Sequence, residues 1–433
     1  MLIPDLSLSV VLDSINTLFQ RQESEREQRI NYLLDYYDGN VDAMEEDAQS
    51  YFNSQSLQQV PIFTQNLVKR MVDARALVYK SRPEYRADET YLKLIKDLHS
   101  VSRQVEQYNF LLGVTGLRSD FDGNKMIYRP LHYFYPFFTA GSPDPVAILY
   151  PQLNFSKQAK NQSDMWVYWS KAIGDEPARH FLIDGGGSIH SVNQGDINPY
   201  GDLPFTFVRR HNNLRDYFCE GATDIARANL HINIALTELA LGIRFGAVGL
   251  KYITGVNEDE EITGGGVDEA IVLPRDANMG QLNPPSGMLN EILEATRFMV
   301  DTVASNNHLR IKWGDKSGDA PSAESLRVQE VENLETREAS AEDTWRPFEM
   351  RRFKVDKMVL DYHDIKISDE YSVNFTEPEA YQNPKEKREN WDWLLDKGLT
   401  TKEDILKDIN PDIDESELQS LLKIKPKGLF NVA

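Results

Sequence analysis

Cysteine is almost absent from this 433-residue chain, in which Cys219 is the only one. A single thiol excludes an internal disulfide and a cysteine-rich zinc site, and it is typical of a protein made in a reducing cytoplasm. The sequence has no apolar run of roughly eighteen residues, so no membrane-spanning helix is predicted. The first residues lack a basic segment and include Asp5 and Asp13, so a signal peptide is not expected.

Motifs for catalysis, metal binding and nucleotide binding are also missing. The sequence GDKSG around Lys316 lacks the G-x-x-x-x-G-K-[ST] spacing of a phosphate-binding loop. The DGGG at 184–187 lies between strand-like runs, as a hairpin turn would. The histidines never recur at H-x-x-x-H spacing, and no G-x-S-x-G occurs. We therefore predict no enzyme activity, no catalytic residues, no metal and no cofactor.

Positive charge is scarce, since 47 Lys and Arg stand against 68 Asp and Glu. The formal net charge is −21 and the pI is near 4.9. A surface that coats nucleic acid needs clustered Lys and Arg to release counterions, so the composition excludes a general nucleic-acid-coating protein. The same charge suits a protein that stays soluble by self-repulsion, or one whose wall must not hold an anionic polymer.

Hydrophobic periodicity predicts an α+β chain. Apolar residues at helical spacing predict helices over 8–38, from near Thr64 to Pro83, and over 91–112. From 113 to 210, β-branched and aromatic runs between Gly, Pro, Asn and Asp predict antiparallel strands and hairpins. A last short strand and two or three short helices are predicted near the C-terminal end.

From Gly221 onward the order of elements is unusual. A long helix, running to about 246, is followed by an acidic, Gly-rich β insert at 247–287 and by a second helix at 288–307. A short charged loop then leads into a long polar helix from 323 to about 363. A bend is expected in it near Pro347, because proline lacks the N–H that a helix uses.

The first of these long helices has polar residues among its apolar ones, namely Asn229, Asn233, Glu238 and Arg244. We interpret them as a wetted face on a helix that packs against copies of itself. An ordinary core helix is the alternative interpretation.

In these features the chain resembles the portal proteins of tailed bacteriophages, over nearly its whole length. Four parts of the sequence have the resemblance: NYLLDYYDGN with NLVKRMVDARALVYKSRP, then NPYGDLPFTFVRRHNNLRDYFCEGATDIARANLHINIALTELAL, then SAESLRVQEVENLETREASAEDTWRPFEMRRF, and NWDWLLDKGLTTKEDILKDINPDIDESEL. They occur in the order found in that family, which is more specific than any one of them. The chain is short for a portal and leaves a small C-terminal region.

The resemblance implies a ring of twelve copies at one capsid vertex, through which double-stranded DNA enters and leaves. It implies a wing at 1–217 and 323–377, stem helices at 218–246 and 288–307, a clip at 247–287, a tunnel loop at 308–322 and a helical crown at 378–433. The implied partners are the terminase large subunit, a head–tail adaptor, and the major capsid and scaffolding proteins. The implied location is the virion, after assembly in the host cytoplasm, without any membrane.

Two groups of side chains are the candidate functional residues. Basic and aromatic side chains of the tunnel loop would make weak, exchangeable contacts with DNA: His308, Arg310, Lys312, Trp313 and Lys316. Six carboxylates of the clip tip, without any Lys or Arg among them, would form a docking rim: Glu258, Asp259, Glu260, Glu261, Asp268 and Glu269. The alternatives are a solvated surface turn and a hairpin that contacts nothing.

Two other classes of protein remain open. One is a cytosolic enzyme with a carboxylate-based metal site that the sequence does not resolve. The other is an adaptor or minor capsid component that binds a ring without forming one. The lack of spaced His, Cys or Gly motifs disfavours the enzyme, and the chain length with the helix–insert–helix order disfavours the adaptor.

Overall fold

The computed structural model describes most of the chain, in two compact units. The described residues are 1–20, 25–52, 61–152, 165–193, 195–211, 216–248, 250–254, 278–282, 287–309, 333–375 and 384–409. The first unit comprises Met1–Lys316 with Glu332–Thr376, and the second comprises Ser317–Val331 with Glu377–Ala433.

Helices and antiparallel strands occur in blocks, so the α+β prediction is confirmed. The helices are α1 Leu8–Gln20, α2 Glu25–Asp38, α3 Val41–Gln49, α4 Leu67–Arg75, α5 Glu89–Leu94, α6 Leu98–Leu112, α7 Thr223–Val248, α8 Met288–Asn306, α9 333–340, α10 Arg346–Tyr362, α11 Pro384–Asp396 and α12 Lys402–Ile409. The strands are β1 Glu84–Arg86, β2 Val114–Phe121, β3 Met126–Leu131, β4 Tyr135–Phe137, β5 Ala147–Pro151, β6 Met165–Ser170, β7 His180–Asp184, β8 Ile189–Ser191, β9 Phe205–Arg209, β10 Leu250–Thr254, β11 Asn278–Leu282 and β12 Ser372–Asn374.

Every strand pair among the described residues is antiparallel. The larger sheets have the orders β4-β5-β6-β7-β8 and β3-β2-β9, and the smaller ones are β1-β12 and β10-β11. Helix α1 packs Val11 and Ile15 against one face of the five-stranded sheet, whereas Trp169 and Phe205 belong to a core between the two larger sheets. The DGGG at 184–187 is the β7–β8 hairpin turn, as predicted.

The predicted N-terminal helices differ from the structure in length. The helix predicted over 8–38 is α1 and α2, and residues 21–24 lie outside the described ones. Helix α4 ends at Arg75, well before the stop expected at Pro83, and the next predicted helix is divided into α5 and α6. The chain leaves α4 because the N–H groups of Val78 and Tyr79 donate to the buried carboxylate of Glu106, at 2.9 and 3.0 Å, instead of to helix carbonyls.

Glu106 gives the protein a pH dependence that a single substitution isolates. Burial raises the pKa of this carboxyl from 4.5 to about 7, so the folded state binds the proton more tightly than the unfolded chain does. The contribution of Glu106 to stability is therefore fully present at low pH and falls as the pH rises towards 7. Relative to Glu106→Gln, wild type should lose about 2.5 kcal/mol of unfolding free energy between pH 5 and pH 8.

Urea unfolding of both proteins at the two pH values measures that difference, and the other carboxyl groups cancel in the comparison. Parallel pH profiles for wild type and Glu106→Gln would contradict the raised pKa.

The long polar helix predicted from 323 to about 363 is helical from 333 to Tyr362, and residues 310–332 lie outside the described ones. Its irregularity falls just before Pro347, as expected. Residues Ala341–Trp345 form a π-helical turn, in which the N–H of Arg346 donates to the carbonyl of Ala341. Pro347 has no N–H to continue the α-helical hydrogen bonds, and the wider turn lies directly before it.

A buried ionic network joins α10 to the strands beneath it. Arg352 is fully buried and donates to Glu349 at 2.6 Å and to Asp356 at 2.5 Å, both equally buried. Hydroxyl groups from five surrounding segments complete the network: Tyr79, Tyr91, Ser119, Tyr128 and Tyr371. Because each of the three charged side chains has several partners inside the core, the network fixes one arrangement of α10 on β2 and β3.

Gly221 sits where the chain turns from β9 into α7, against the end of α6. Its φ is +68°, and a Cβ there would lie 2.2 Å from the carbonyl oxygen of Leu111, which accepts a hydrogen bond from Ala222. The close approach therefore requires glycine.

Gly221→Ala is expected to destabilise the protein by about 2 kcal/mol more than Gly123→Ala, because both force a positive φ on alanine but only Gly221 adds a clash. Gly123 has φ +95°, and a Cβ at that residue would have no other atom within 4 Å. Thermal unfolding of the two variants tests this, and equal midpoints would show that the chain relaxes around residue 221.

The described part of the second unit contains α11 and α12. Gly398, with φ +64°, follows the first of these helices, as the predicted C-cap does. Thr401 and Asp404 form a reciprocal cap on α12: the Thr401 hydroxyl accepts from the Asp404 N–H at 3.2 Å, and the Asp404 carboxylate accepts from the Thr401 N–H at 3.0 Å.

Candidate functional site

Helices α7 and α8 form an antiparallel pair joined by the hairpin β10–β11. At the hairpin end the helices approach closely, since a Cβ at Gly242 would lie 2.7 Å from the Leu289 side chain. At the other end, Asn307 donates to Asp224 at 3.3 Å. Strands β10 and β11 pair antiparallel: Leu250 lies opposite Leu282 at one end, and Thr254 lies opposite Asn278 at the other. The described parts of this region follow the predicted order as a helix–hairpin–helix unit, and α7 continues through Gly242 to Val248.

One face of α7 binds the backbone of the segment before α4. The side-chain oxygen of Asn229 accepts from the N–H of Leu67 at 2.6 Å, and its amide donates to Gln65 O at 2.8 Å. Asn233 accepts from the Gln65 N–H at 2.9 Å, and Thr237 accepts from the N–H of Phe63 at 2.9 Å. These three side chains, the polar ladder of α7, recur every four residues and hold segment 63–67, which ends at the first residue of α4, against the helix.

The interpretation of Asn229 and Asn233 as a wetted face is wrong. Both side chains are fully buried, because the segment 63–67 covers them and supplies their hydrogen-bond partners. Glu238 is exposed, as expected, and the side chain of Arg244 lies outside the described ones. Burial of the asparagines leaves α7 as a helix with a packed polar face.

Asn229→Leu is expected to destabilise the protein by about 2–3 kcal/mol, because it leaves the buried N–H of Leu67 and the partly buried carbonyl of Gln65 without partners. His231→Leu, on the exposed side of the same helix, should change stability by no more than about 0.5 kcal/mol. Chemical denaturation measures both. Equal effects would mean that the ladder contributes nothing beyond side-chain contacts.

Helix α8 packs one face into the core that it shares with α7 and exposes an acidic stripe on the other face. Thr296, Val300 and Ala304 are buried. The acidic stripe consists of exposed residues at spacings of three and four: Glu291, Glu294, Phe298 and Asp301. Phe298 is 72% exposed and is the one apolar member of the stripe.

The stripe retains a net negative charge because α8 has only one basic residue. Arg297 pairs with Glu294 at 2.8 Å, and the carboxylates of Glu291 and Asp301 have no ion-pair partner among the described residues. Such a surface repels a polyanion rather than binding it.

The structure describes only one of the predicted site residues. His308 follows α8 in the left-handed region, with φ +55°; its side chain is exposed and its N–H donates to Ser305 O at 3.0 Å. The other tunnel-loop and clip-tip residues lie outside the described residues: Arg310, Lys312, Trp313, Lys316, Glu258, Asp259, Glu260, Glu261, Asp268 and Glu269. Sequence reasoning missed the polar ladder, although the spacing of four between Asn229, Asn233 and Thr237 signals one face.

Among the described residues, no group of His, Cys, Asp and Glu side chains is placed to hold a metal ion. Within the same residues, no helix is both long and apolar enough to cross a bilayer.

Comparison with known proteins gives matches to solved structures alone. No protein-family model matches the chain, and no curated protein matches it. The chain is similar to one from the neck of an empty gene transfer agent (GTA) particle computed with C6 symmetry: identity is 13%, coverage is 84% of this chain and 91% of that one, and the TM-score is 0.40.

Two further structures from such particles also match. A chain of the neck of the native particle computed with C12 symmetry is 13% identical over 83% of this chain and 90% of that one, with a TM-score of 0.38. A chain of the virion of the native particle is 14% identical over 83% and 88%, with a TM-score of 0.35. At these scores the likeness has no bearing on function.

Proposed function

We propose that this chain is a portal protein, which assembles into a ring of about twelve copies around a channel for double-stranded DNA. The observation that carries the proposal is the helix–hairpin–helix unit, with its acidic stripe on α8. Each copy contributes two antiparallel helices packed along their length. Copies of this pair arranged around one axis would form the wall of a tube. The hairpin then lies at one rim of the tube.

The charge of α8 suits a wall that conducts DNA without holding it. Each Lys or Arg contact to a phosphate adds binding, whereas carboxylates repel the duplex towards the axis. Copies around a ring multiply that field, and the net charge of −21 extends it over the molecule. In this proposal, α7 and α8 are the stem, β10–β11 with the acidic residues between them is the clip, and α9–α10 with the larger sheets is the wing.

The remaining parts follow the same assignment. Residues 308–322 are the tunnel loop, in which Arg310, Lys312 and Lys316 make brief contacts with phosphates, and 378–433 are the crown. The clip receives the terminase large subunit during packaging and the head–tail adaptor afterwards, and the wing contacts capsid and scaffolding proteins. The ring belongs to the virion and is not an enzyme.

Negative-stain imaging of the purified protein tests the ring directly. The expected result is a population of rings with a central hole and about twelve subunits. Compact monomers at all concentrations would overturn the proposal and favour an enzyme, whereas monomers that bind a ring formed by another protein would favour an adaptor.

Neutralising Arg310, Lys312 and Lys316 together tests the tunnel loop separately. Ring assembly should be unchanged, and DNA packaging or retention should be impaired, because only the contacts to passing phosphates are removed. Packaging equal to wild type would refute the role of these side chains while leaving the ring intact.

A further inference from the structure

A cavity of about 730 Å³ in the first unit has an unusual concentration of arginine. It lies where the ends of α4, α6, β9 and α8 meet α9 and α10. Five arginines line it, and together they define the arginine cleft: Arg75, Arg209, Arg210, Arg337 and Arg351. Its carboxylates are Glu106, Asp144 and Asp343. The cleft is therefore a positive site on a chain whose net charge is −21.

Two of the five arginines have structural roles. Arg210 donates to the carbonyl of Gly221 at 3.0 Å and lies over the Phe110 ring, and Arg337 donates to the carbonyl of Leu77 at 3.1 Å. The Glu106 carboxylate is likewise committed to backbone N–H groups. These groups build the wall of the cleft.

The other three arginines retain unused hydrogen-bond donors. Among the described residues, Arg75 and Arg351 have no hydrogen-bond or ion-pair partner, and the Arg209 guanidinium lies over the Tyr217 ring, 5.3 Å from its centroid, without such a partner. Guanidinium groups present several N–H donors in a planar fork that fits carboxylates. An occupant rich in carboxylates would therefore complete the cleft.

Helix α3 is a surface with the matching charge among the residues that the structure describes. It has four carboxylates and no Lys or Arg in nine residues. Asp42, Glu45 and Glu46 are exposed on one turn, at spacings that place them on one face, and none forms an ion pair with a described residue. Exposed Val41 and Tyr51, at 47% and 62%, flank this acidic face and offer apolar contacts.

We propose that the arginine cleft of one copy binds the acidic face of α3 from a second copy. The cleft and α3 are different surfaces, so the contact is head-to-tail and repeats from copy to copy, as a ring requires. This inference rests on the proposed function. The attraction between the cleft and the acidic face would offset the repulsion between subunits that are acidic overall. Carboxylates of the second copy then complete the hydrogen bonding of Arg75, Arg209 and Arg351.

Charge reversal on both sides tests the contact. The cleft variant has Arg209→Glu and Arg351→Glu, and the helix variant has Asp42→Lys, Glu45→Lys and Glu46→Lys. Each alone should raise the protein concentration for half-assembly at least about tenfold, measured by analytical ultracentrifugation, because like charges then face each other. A chain with all five changes should recover assembly, since the reversed charges match again.

Arg103→Glu with Arg129→Glu is the matched control, because these arginines are exposed and lie outside the cleft. It should assemble as wild type does. Thermal unfolding of each variant as a monomer checks that the fold is retained. Phosphate, titrated at constant ionic strength, is the probe for a free anion, and it should leave the melting temperature of the monomer unchanged.

The outcomes separate the two proposals. Wild type that never forms rings overturns the proposed function. Wild-type rings with both reversal variants assembling normally overturn the cleft contact alone. Loss of assembly in the cleft variant alone, without recovery in the combined variant, overturns the choice of α3. Stabilisation of the monomer by phosphate, lost in the cleft variant, would instead show a site for a free anion.

Discussion

Replacing Arg352 with methionine is expected to destabilise the protein by about 3–5 kcal/mol. Methionine fills a similar volume, so the cost arises from charge rather than from a cavity. Glu349 and Asp356, both without solvent exposure, would lose their shared counter-ion. Burial already raises the pKa of Asp356, and Arg352 opposes that shift. Without the guanidinium, the carboxylates must take up protons or remain as uncompensated buried charges.

Lys366→Met is the matched control, because Lys366 also pairs with an aspartate, Asp361 at 3.0 Å, but is 76% exposed. Its effect should be below about 1 kcal/mol, since solvent screens surface pairs. Urea denaturation of wild type and both variants measures the three stabilities. If Arg352→Met unfolds at the midpoint of the control, the network does not hold α10 in place.

Reversing the acidic stripe is expected to turn a surface that repels DNA into one that binds it. The variant has Glu291→Lys, Glu294→Lys and Asp301→Lys, which changes the charge of each copy by six. In the proposed ring these changes would face the channel axis, so affinity for double-stranded DNA at low salt should rise at least about 100-fold, with a steep salt dependence. DNA packaging should fall, because phosphate contacts oppose movement through the channel.

The control moves the same charge to other exposed positions, with Asp13→Lys, Asp175→Lys and Glu370→Lys. Rings of both variants are compared for DNA binding by fluorescence anisotropy over a range of salt concentrations. The control should bind more weakly than the stripe variant, because its lysines are not gathered on α8. Equal binding by the two variants would show that α8 does not face the channel.

The sequence predicts the fold where a repeating local pattern decides it. Alternation of β-branched and aromatic residues located the strands from 113 to 210, and the 3.6-residue period located α7 and α8. Prediction from the sequence fails where a residue far away in the chain determines the local structure. The end of α4 depends on Glu106, which is remote in the sequence, and nothing near Arg75 signals it.

The candidate site also has features that the local sequence predicts and others that depend on the tertiary fold. The order helix, hairpin, helix is readable from periodicity, and the acidic stripe follows from the positions of Glu291, Glu294 and Asp301 on α8. The environment of Asn229 is not readable, because an asparagine on a helix can face water or a backbone segment with equal hydrogen-bonding capacity. Arginines far apart in the sequence, such as Arg75 and Arg351, meet in the cleft only through the tertiary fold.

The polar ladder also determines how α7 can be displaced. Four residues of helix rise about 6 Å, close to the roughly 6.6 Å that two residues of extended chain span, so Asn229, Asn233 and Thr237 meet alternate N–H groups in step. Apolar surfaces tolerate small sliding, but these hydrogen bonds do not. A small shift of α7 along its axis relative to segment 63–67 would therefore break all three sets of hydrogen bonds at once. These bonds make the helix resist a force applied along its length.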